Sequence, residues 1–420
     1  MGSSTTTTRT TRKTKTKTKR FFSFFVLFLA LFLSSAGLIG VKAAVLGIDY
    51  GAEFLKISIV APGRTPITLV INEISKRKTT VAVSFIHRDR WLGEEAMNYQ
   101  ARYPEKVTTR LRELLGKSAK SDLVLDYKEK YKLPFEIREN NQGNGRETVE
   151  VFIDVENGSS GKQNGDGDGD DDIENNYSSH TIEELVATTL QYAMKIGTAL
   201  GKGAIKDAVV SVPPYFSQTQ RRALYDAADI AGLNVMALVS DVSCAALQWG
   251  IDKDFAKNET RNVIFYDVGS SHSSASLVEF GALSERRSKK TYGSFVVKSV
   301  EWNDEFGGED LDVLLVNHFL DEFQEKHGSE TNGKDVTKDK RAVAKLRKQV
   351  RKTKEMLSAN KEAPVSVEGM FEDIDFRSTI DRATFEAKAE KTFQRMLEPL
   401  RRLVTVELPK LGLTLEDVEA

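Results

Sequence analysis

A single cysteine, Cys244, in 420 residues excludes any intramolecular disulfide, so the chain is not a disulfide-stapled extracellular domain. Within Val-Ser-Cys-Ala-Ala-Leu, Cys244 is expected as a small core residue. An excess of positive charge is also lacking in the body of the chain. Residues 1 to 20 carry Arg9, Arg12, Lys13, Lys15, Lys17, Lys19 and Arg20 and no acid; without these seven, 53 basic residues face 61 acids, a net charge of −8. An acidic body argues against nucleic acid as a partner. A calcium loop is lacking too: Asp166-Gly-Asp-Gly-Asp170 supplies acids but not the glycine and closing glutamate positions of a helix-loop-helix site, so a solvated insert is expected.

What is present is ample apolar material, 40% of the residues, enough for two cores of ordinary domain size. The basic start leads into Phe21 to Leu33, where only Ser23 is polar, and then to small residues ending at Ala43. This order is that of a secretory signal, with cleavage patterns at Val41-x-Ala43 or Ser34-x-Ala36; a signal anchor is the alternative. Either arrangement leaves the rest on the lumenal side; with a cleaved signal the membrane is met only during translocation. Three glycosylation triplets, at Asn157, Asn176 and Asn258, agree with that side.

Two strand-turn signatures, Val45-Leu-Gly-Ile-Asp49-Tyr-Gly51-Ala-Glu53 and Val263-Ile-Phe-Tyr-Asp267-Val-Gly269-Ser-Ser271, repeat one device at a separation of 218 residues. In each, an apolar run delivers an aspartate to a tight glycine turn. Glycine lets backbone amides approach a phosphate, and the carboxylate can hold a hydrated Mg²⁺. Two copies imply two lobes clamping a nucleotide.

The remaining pattern is that of an α/β protein. Strands are expected at Val45 to Ile48, Leu55 to Val60 and Ile67 to Ile71, and a helix over 94 to 116. A helix capped by Thr181 runs to Leu200, and a strand at Ala208 to Val212 stops at Pro213-Pro214. Ser217-Gln-Thr-Gln220 boxes the next helix, which buries Ala223, Ala227, Ala228 and Ala231 and ends at Gly232 before a strand at Val235 to Val239. The second lobe opens near Val263 and continues through Leu277 to Phe280 and Ser294 to Ser299. Helices follow at Lys340 to Leu357, whose many basic residues read as a charged exterior, and at Arg382 to Leu408.

The segments Leu46-Gly-Ile-Asp-Tyr-Gly, Val210-Ser-Val-Pro-Pro-Tyr-Phe-Ser-Gln-Thr-Gln-Arg-Arg, Ile230-Ala-Gly-Leu-Asn-Val, Phe306-Gly-Gly-Glu-Asp-Leu-Asp and Phe371-Glu-Asp-Ile-Asp-Phe stand in the order and spacing of a known family. From Ala44 to Ala420 the chain resembles the nucleotide-binding domain of the seventy-kilodalton heat-shock chaperones, in particular the large endoplasmic-reticulum branch. The resemblance implies the actin-like two-lobed ATPase fold, α/β with a five-stranded mixed sheet in each lobe, around a cleft for ATP or ADP with Mg²⁺. It implies a leader over 1–43, lobe I over 44–258 with an acidic insert near 157–176, and lobe II over 259–420. That second lobe is expected to be incomplete at the C-terminus, with an unpaired sheet edge and poor folding without a partner.

Carried over by this resemblance, Asp49 and Asp267 orient Mg²⁺ through water, and Gly51 and Gly269 form the phosphate turns. Asp241 stands where the family has a glutamate, and Arg112 lies nearest its catalytic lysine. Ala52 and Glu53 replace two hydroxyl residues, Ser270 and Ser271 replace glycines, His272 replaces a threonine, and Ser274 replaces a metal-linked aspartate. Gly307, Gly308 and Glu309 fall on the cofactor-binding segment; Lys354 and Ser358 match adenosine contacts, whereas Glu355 replaces an arginine. Such losses imply slow hydrolysis at best. The implied function is an ATP-binding chaperone of the endoplasmic reticulum lumen, with unfolded polypeptides as partners of the intact protein. The alternatives are a nucleotide-exchange partner for the smaller lumenal relative and an actin-fold small-molecule kinase.

Overall fold

The computed structural model describes residues 44–60, 67–86, 89–140, 148–154, 177–201, 204–256, 259–284, 291–331 and 333–419. The expected leader, the expected acidic insert and the triplet residues Asn157, Asn176 and Asn258 lie outside these residues. Among the described residues no helix is long and apolar enough to cross a membrane.

Lobe I is built on β1 (Val45–Tyr50), β2 (Phe54–Val60), β3 (Thr68–Leu69) and β4 (Thr79–Thr80). Two small sheets follow, β5 (Ala82–Ile86) with β6 (Asp89–Leu92) and β7 (Val107–Thr109), and β8 (Glu136–Asn140) with β9 (Thr148–Asp154) and β10 (Tyr177–Thr181). The central sheet is completed by β11 (Asp207–Val212) and β12 (Asn234–Ser240) in the order β12-β11-β1-β2-β3, with β4 also on β2. It is mixed: β1 pairs parallel with β11 and antiparallel with β2. Leu46, Ile48, Ile57, Ile59 and Val210 are fully or almost fully buried in it, against the helices Ile182–Gly201 and Gln218–Ala231. Both caps form as the sequence spacing predicts. Thr181 Oγ1 accepts from the Glu184 amide at 3.2 Å. Ser217 and Gln220 make a full capping box, and Gly232 ends that helix at φ 75°.

Residues 94 to 116 do not form the single helix expected. A six-residue helix, Gly93–Asn98, gives way at Pro104 to one 3₁₀ turn; Val107–Thr109 then pairs with β5, and a four-residue turn of helix spans Leu111–Leu114. Proline interrupts the helical backbone, and the β-branched Val-Thr-Thr run finds an open strand edge.

Lobe II has a three-stranded antiparallel sheet, β13 (Thr260–Val268), β14 (Ser273–Ser284) and β15 (Thr291–Asn303). The implied five-stranded mixed sheets thus become six strands in lobe I and three in lobe II among the described residues. Among the described residues the free side of β13 carries one parallel bridge, Asn262 to Val418, and Tyr266 and Val268 stay exposed there. The helices Gly308–His327 and Lys340–Leu357 pack with the hairpin β16 (Glu362–Phe371) and β17 (Ile374–Asp381) around Phe319, Phe323, Leu346 and Phe376. The helix Arg382–Arg402 lies against β14 and β15. Cys244 is buried, and burial pushes its thiol up, as suits a core position.

Candidate functional site: a cleft between two aspartate turns

The hairpin between β1 and β2 is closed by the Gly51 amide donating to the Phe54 carbonyl at 3.1 Å, with Ala52 and Glu53 at its tip. A side chain at Gly51 would stand 2.6 Å from that carbonyl oxygen, so glycine is required by close backbone approach. This two-residue turn sets the register Tyr50 opposite Leu55 and Asp49 opposite Lys56. The second device repeats it: the Gly269 amide donates to the His272 carbonyl at 2.8 Å, and Asp267 lies opposite Ser274.

Both turns border one cavity of about 450 Å³ between the lobes. Of the expected site residues, Asp49, Gly51, Ala52, Glu53, Arg112, Asp241, Asp267, Gly269, Ser270, His272 and Ser274 line it. Gly307, Gly308 and Glu309 stand behind the second turn, where the Gly308 and Glu309 amides donate to the Gly269 and Ser270 carbonyls at 2.8 and 2.9 Å. Lys354 and Ser358 are not brought to the cavity wall. Lys354 is held by Asp312 at 2.5 Å and the Gly308 carbonyl at 2.9 Å, while Ser358 and Glu355 are exposed.

Electrostatics differ around the floor. Asp49 is half-buried and bound on both oxygens: Oδ2 by Lys56 Nζ at 2.7 Å, Oδ1 by the Ser211 hydroxyl at 3.1 Å. Asp267 is more exposed, and its Oδ2 meets His272 Nε2 at a long 3.4 Å. Desolvation raises the Asp267 carboxyl, but the contact with His272 and the charges of His272, Lys56 and Arg112 hold it below its ordinary value. Asp241 begins the helix Asp241–Gly250 and accepts from the Val242 amide at 2.6 Å. Its carboxyl is pushed up to about 6, chiefly by desolvation.

Arg112 is buried and committed to lobe contacts: Glu113 at 2.8 Å, the Ser271 hydroxyl at 3.1 Å and His272 Nδ1 at 3.4 Å. Burial alone would lower its guanidinium, yet the Glu113 carboxylate raises it; Glu113, conversely, is held low by Arg112 against its own desolvation. Arg112 and Glu113 thus tie lobe I to the second turn.

Sequence patterns did not reveal four further contributors. Lys56 was masked as an ordinary strand residue, although the hairpin register places it opposite Asp49. Arg351, on the helix read as a charged exterior, reaches Glu53 at 2.9 Å, Glu309 at 3.1 Å and Asp312 at 3.4 Å, and so neutralises the acid at the first turn. Arg347 on the same helix is buried and donates to the Tyr131 carbonyl at 2.6 Å, while Arg110 pairs with Glu309. That helix is therefore in part an interlobe clasp, because its basic residues meet acids and carbonyls of both lobes. A second crevice of about 390 Å³, between Gly93–Asn98 and Lys340–Leu357, opens onto this clasp.

The cavity size, the close-approach turns and the convergent polar groups suit a phosphate-bearing ligand. For a divalent ion the donors are thinner: among the described residues no three His, Cys, Asp or Glu side chains gather as a direct ligand set. Comparison with known proteins gives a consistent result. A family model described as Hsp70 protein matches residues 45–410. Heat shock 70 kDa protein 17 of Arabidopsis thaliana is 43% identical over 383 residues, 90% of this chain and 40% of that protein. Hypoxia up-regulated protein 1 of Danio rerio is 32% identical over 362 residues, 86% of this chain and 34% of its own length. Heat shock protein 88 of Dictyostelium discoideum is 32% identical over 361 residues, again 86% of this chain and 42% of its own length. The chain spans roughly two fifths or less of these curated relatives.

Proposed function

The chain belongs to the Hsp70 family, and on that premise we propose that its interlobe cleft binds ATP and ADP as the nucleotide-binding part of a chaperone of the endoplasmic reticulum lumen. The observation that carries this is the meeting of both aspartate-glycine turns on one cavity. Phosphates lie along the turns of Gly51 and Gly269, with Arg112 and Lys56 as the cations of the floor. Asp49 and Asp267 are the carboxylates that would hold a hydrated Mg²⁺, whose chemistry would be to offset phosphate charge. The other residues orient and shield the ligand: His272 covers Gly269, and Arg351 withdraws the charge of Glu53 from the phosphate turn.

Hydrolysis by this chain is slow, because Ala52 and Ser274 supply neither the hydroxyl nor the acid of the family pattern, and Arg112 is engaged by Glu113. The leader pattern and the triplets at Asn157, Asn176 and Asn258 support the lumenal location, and lobe boundaries at 44–258 and 259–420 are part of the same proposal. Binding of unfolded polypeptide belongs to the longer relatives' full architecture. Titration of the full chain with ADP in Mg²⁺ buffer tests the site: saturable heat supports it, and its absence from folded protein removes it.

A second role, nucleotide exchange for a smaller lumenal relative, is favoured by the same replacements at Ala52, Glu53 and Ser274. Phosphate release from ATP that rises on adding unfolded polypeptide would count against that role.

A further inference from the structure

The crevice of about 390 Å³ between Gly93–Asn98 and Lys340–Leu357 shares Ala52 and Glu53 with the wall of the nucleotide cavity and is otherwise lined by different residues. Three arginines set its chemistry. Arg110 is 5% exposed and Arg347 8%, whereas Arg351 is partly open to solvent. The acids beside them are already shared: Glu309 by Arg110 and Arg351, Glu53 by Arg351, and Asp312 by Arg351 at 3.4 Å and Lys354 at 2.5 Å. Four cations therefore face three carboxylates. The other charged residues of the crevice, Lys76 and Lys348 against Glu94 and Glu95, balance. The surplus falls on Arg347, which among the described residues makes no ion pair: it donates to the Tyr131 carbonyl at 2.6 Å, and its Nε has no partner. Arg110 lies over the Tyr131 ring at 4.0 Å and leaves its own Nη1 unpartnered. Two deeply buried guanidiniums thus keep donors without acceptors, which is costly. Burial and the charges of Arg110 and Arg351 push Arg347 down to about 9, the mark of a cation short of one anion.

We propose that this crevice is a binding site for a phosphate group, separate from the nucleotide cavity, carried by inorganic phosphate or by a small phosphorylated metabolite. A tetrahedral dianion offers acceptors in several directions, so guanidiniums on both lobes can pair with it through charge-assisted hydrogen bonds. A planar carboxylate supplies two oxygens and a single charge, which suits one guanidinium fork better than a cluster. The site is assembled by the fold, since Arg110 comes from the short segment after β7 and Arg347 and Arg351 from one helix of lobe II.

The test is calorimetric titration of the full chain, in nucleotide-free buffer, with inorganic phosphate, glycerol phosphate and acetate, for the native sequence, Arg347→Met and Lys348→Glu. The native chain should bind phosphate saturably and acetate at least about tenfold more weakly. Arg347→Met should lose about tenfold or more, the size of one hydrogen bond to a charged group. Lys348→Glu, an exposed change on the crevice wall that should leave the fold intact, should lose about threefold or more, and it decides the case even if Arg347→Met fails to fold. Tighter binding of glycerol phosphate than of inorganic phosphate identifies a phosphorylated metabolite as the source, and the reverse order identifies the free ion. Phosphate binding that Lys348→Glu retains in full belongs to the nucleotide cavity and overturns the proposal. Absence of phosphate binding to the folded native chain, or acetate binding as tight as that of phosphate, overturns it as well. None of these outcomes involves ADP, so the nucleotide reading stands or falls separately.

Discussion

Asp49 and Asp267 end the same strand-turn device, yet one is locked between Lys56 and Ser211 inside a mixed sheet and the other stands exposed on a sheet edge. The difference lies in the neighbours. β1 has strands on both sides, so its apolar residues are sealed and its aspartate is oriented by two donors. β13 is paired along one side and merely bridged at Asn262 on the other, so Tyr266 takes the place that Ile48 holds in the first device but remains 38% exposed. One local motif therefore yields a rigid anchor in lobe I and a softer one in lobe II.

The largest expected effect tests that contrast directly. Ile48→Ala removes a fully buried side chain and should cost about 2–5 kcal/mol, whereas Tyr266→Ala, losing mainly one hydrogen bond to the Met396 carbonyl, should cost about 1–2 kcal/mol. Equal shifts in chemical denaturation would erase the distinction between the two strands.

Asp241 faces both turns and links them through pH. Its carboxyl moves from an ordinary 3.8 to about 6 in the folded protein, so between those values the folded state keeps a proton that the unfolded state has lost. Stability must then fall as pH rises from 3.8 to about 6 and level off above it, by up to about 3 kcal/mol at 1.36 kcal/mol per unit. Asp241→Asn should flatten this part of the stability–pH curve and stabilise the protein at neutral pH; a slope unchanged in the variant would assign it to other groups.

A smaller effect sharpens the electrostatic side. Arg351→Ala leaves Glu53 uncompensated at the lobe I turn and should weaken ADP binding several-fold, about 1 kcal/mol for a partly exposed pair. Adding Glu53→Ala should restore it, and a double variant as weak as the single one would show that Arg351 acts elsewhere. Smallest of all should be the contrast between helix caps. Ser217→Ala in lobe I and Asp381→Ala in lobe II each remove one cap to an amide, at 3.2 and 2.8 Å, and each should cost about 1 kcal/mol. Matched losses would confirm that the lobes share local rules and differ only in their surroundings.

Much of this was legible in residue order. Capping boxes, the alanine face of Gln218–Ala231 and the bounds of Lys340–Leu357 rest on contacts within four residues, which spacing records. The segment 94–116 misled because its apolar spacing suits a helix, while an unpaired edge of β5, remote in sequence, offered Val107–Thr109 a better partner. The helix Lys340–Leu357 had the right extent but the wrong surroundings, since no pattern within it discloses that Glu53 waits across the cleft and Glu309 on the neighbouring helix.

The sequence by itself determined the two aspartate turns, the glycines that permit them and the amphipathic helices, because each depends on backbone sterics and short-range periodicity. Only the tertiary structure decided that Asp49 is clamped between Lys56 and Ser211 while Asp267 has one long contact to His272, that Arg351 closes over the first turn, and that Asp241 is desolvated. Those outcomes depend on which charges the folded chain brings within a few ångströms of one another and how much water it leaves between them.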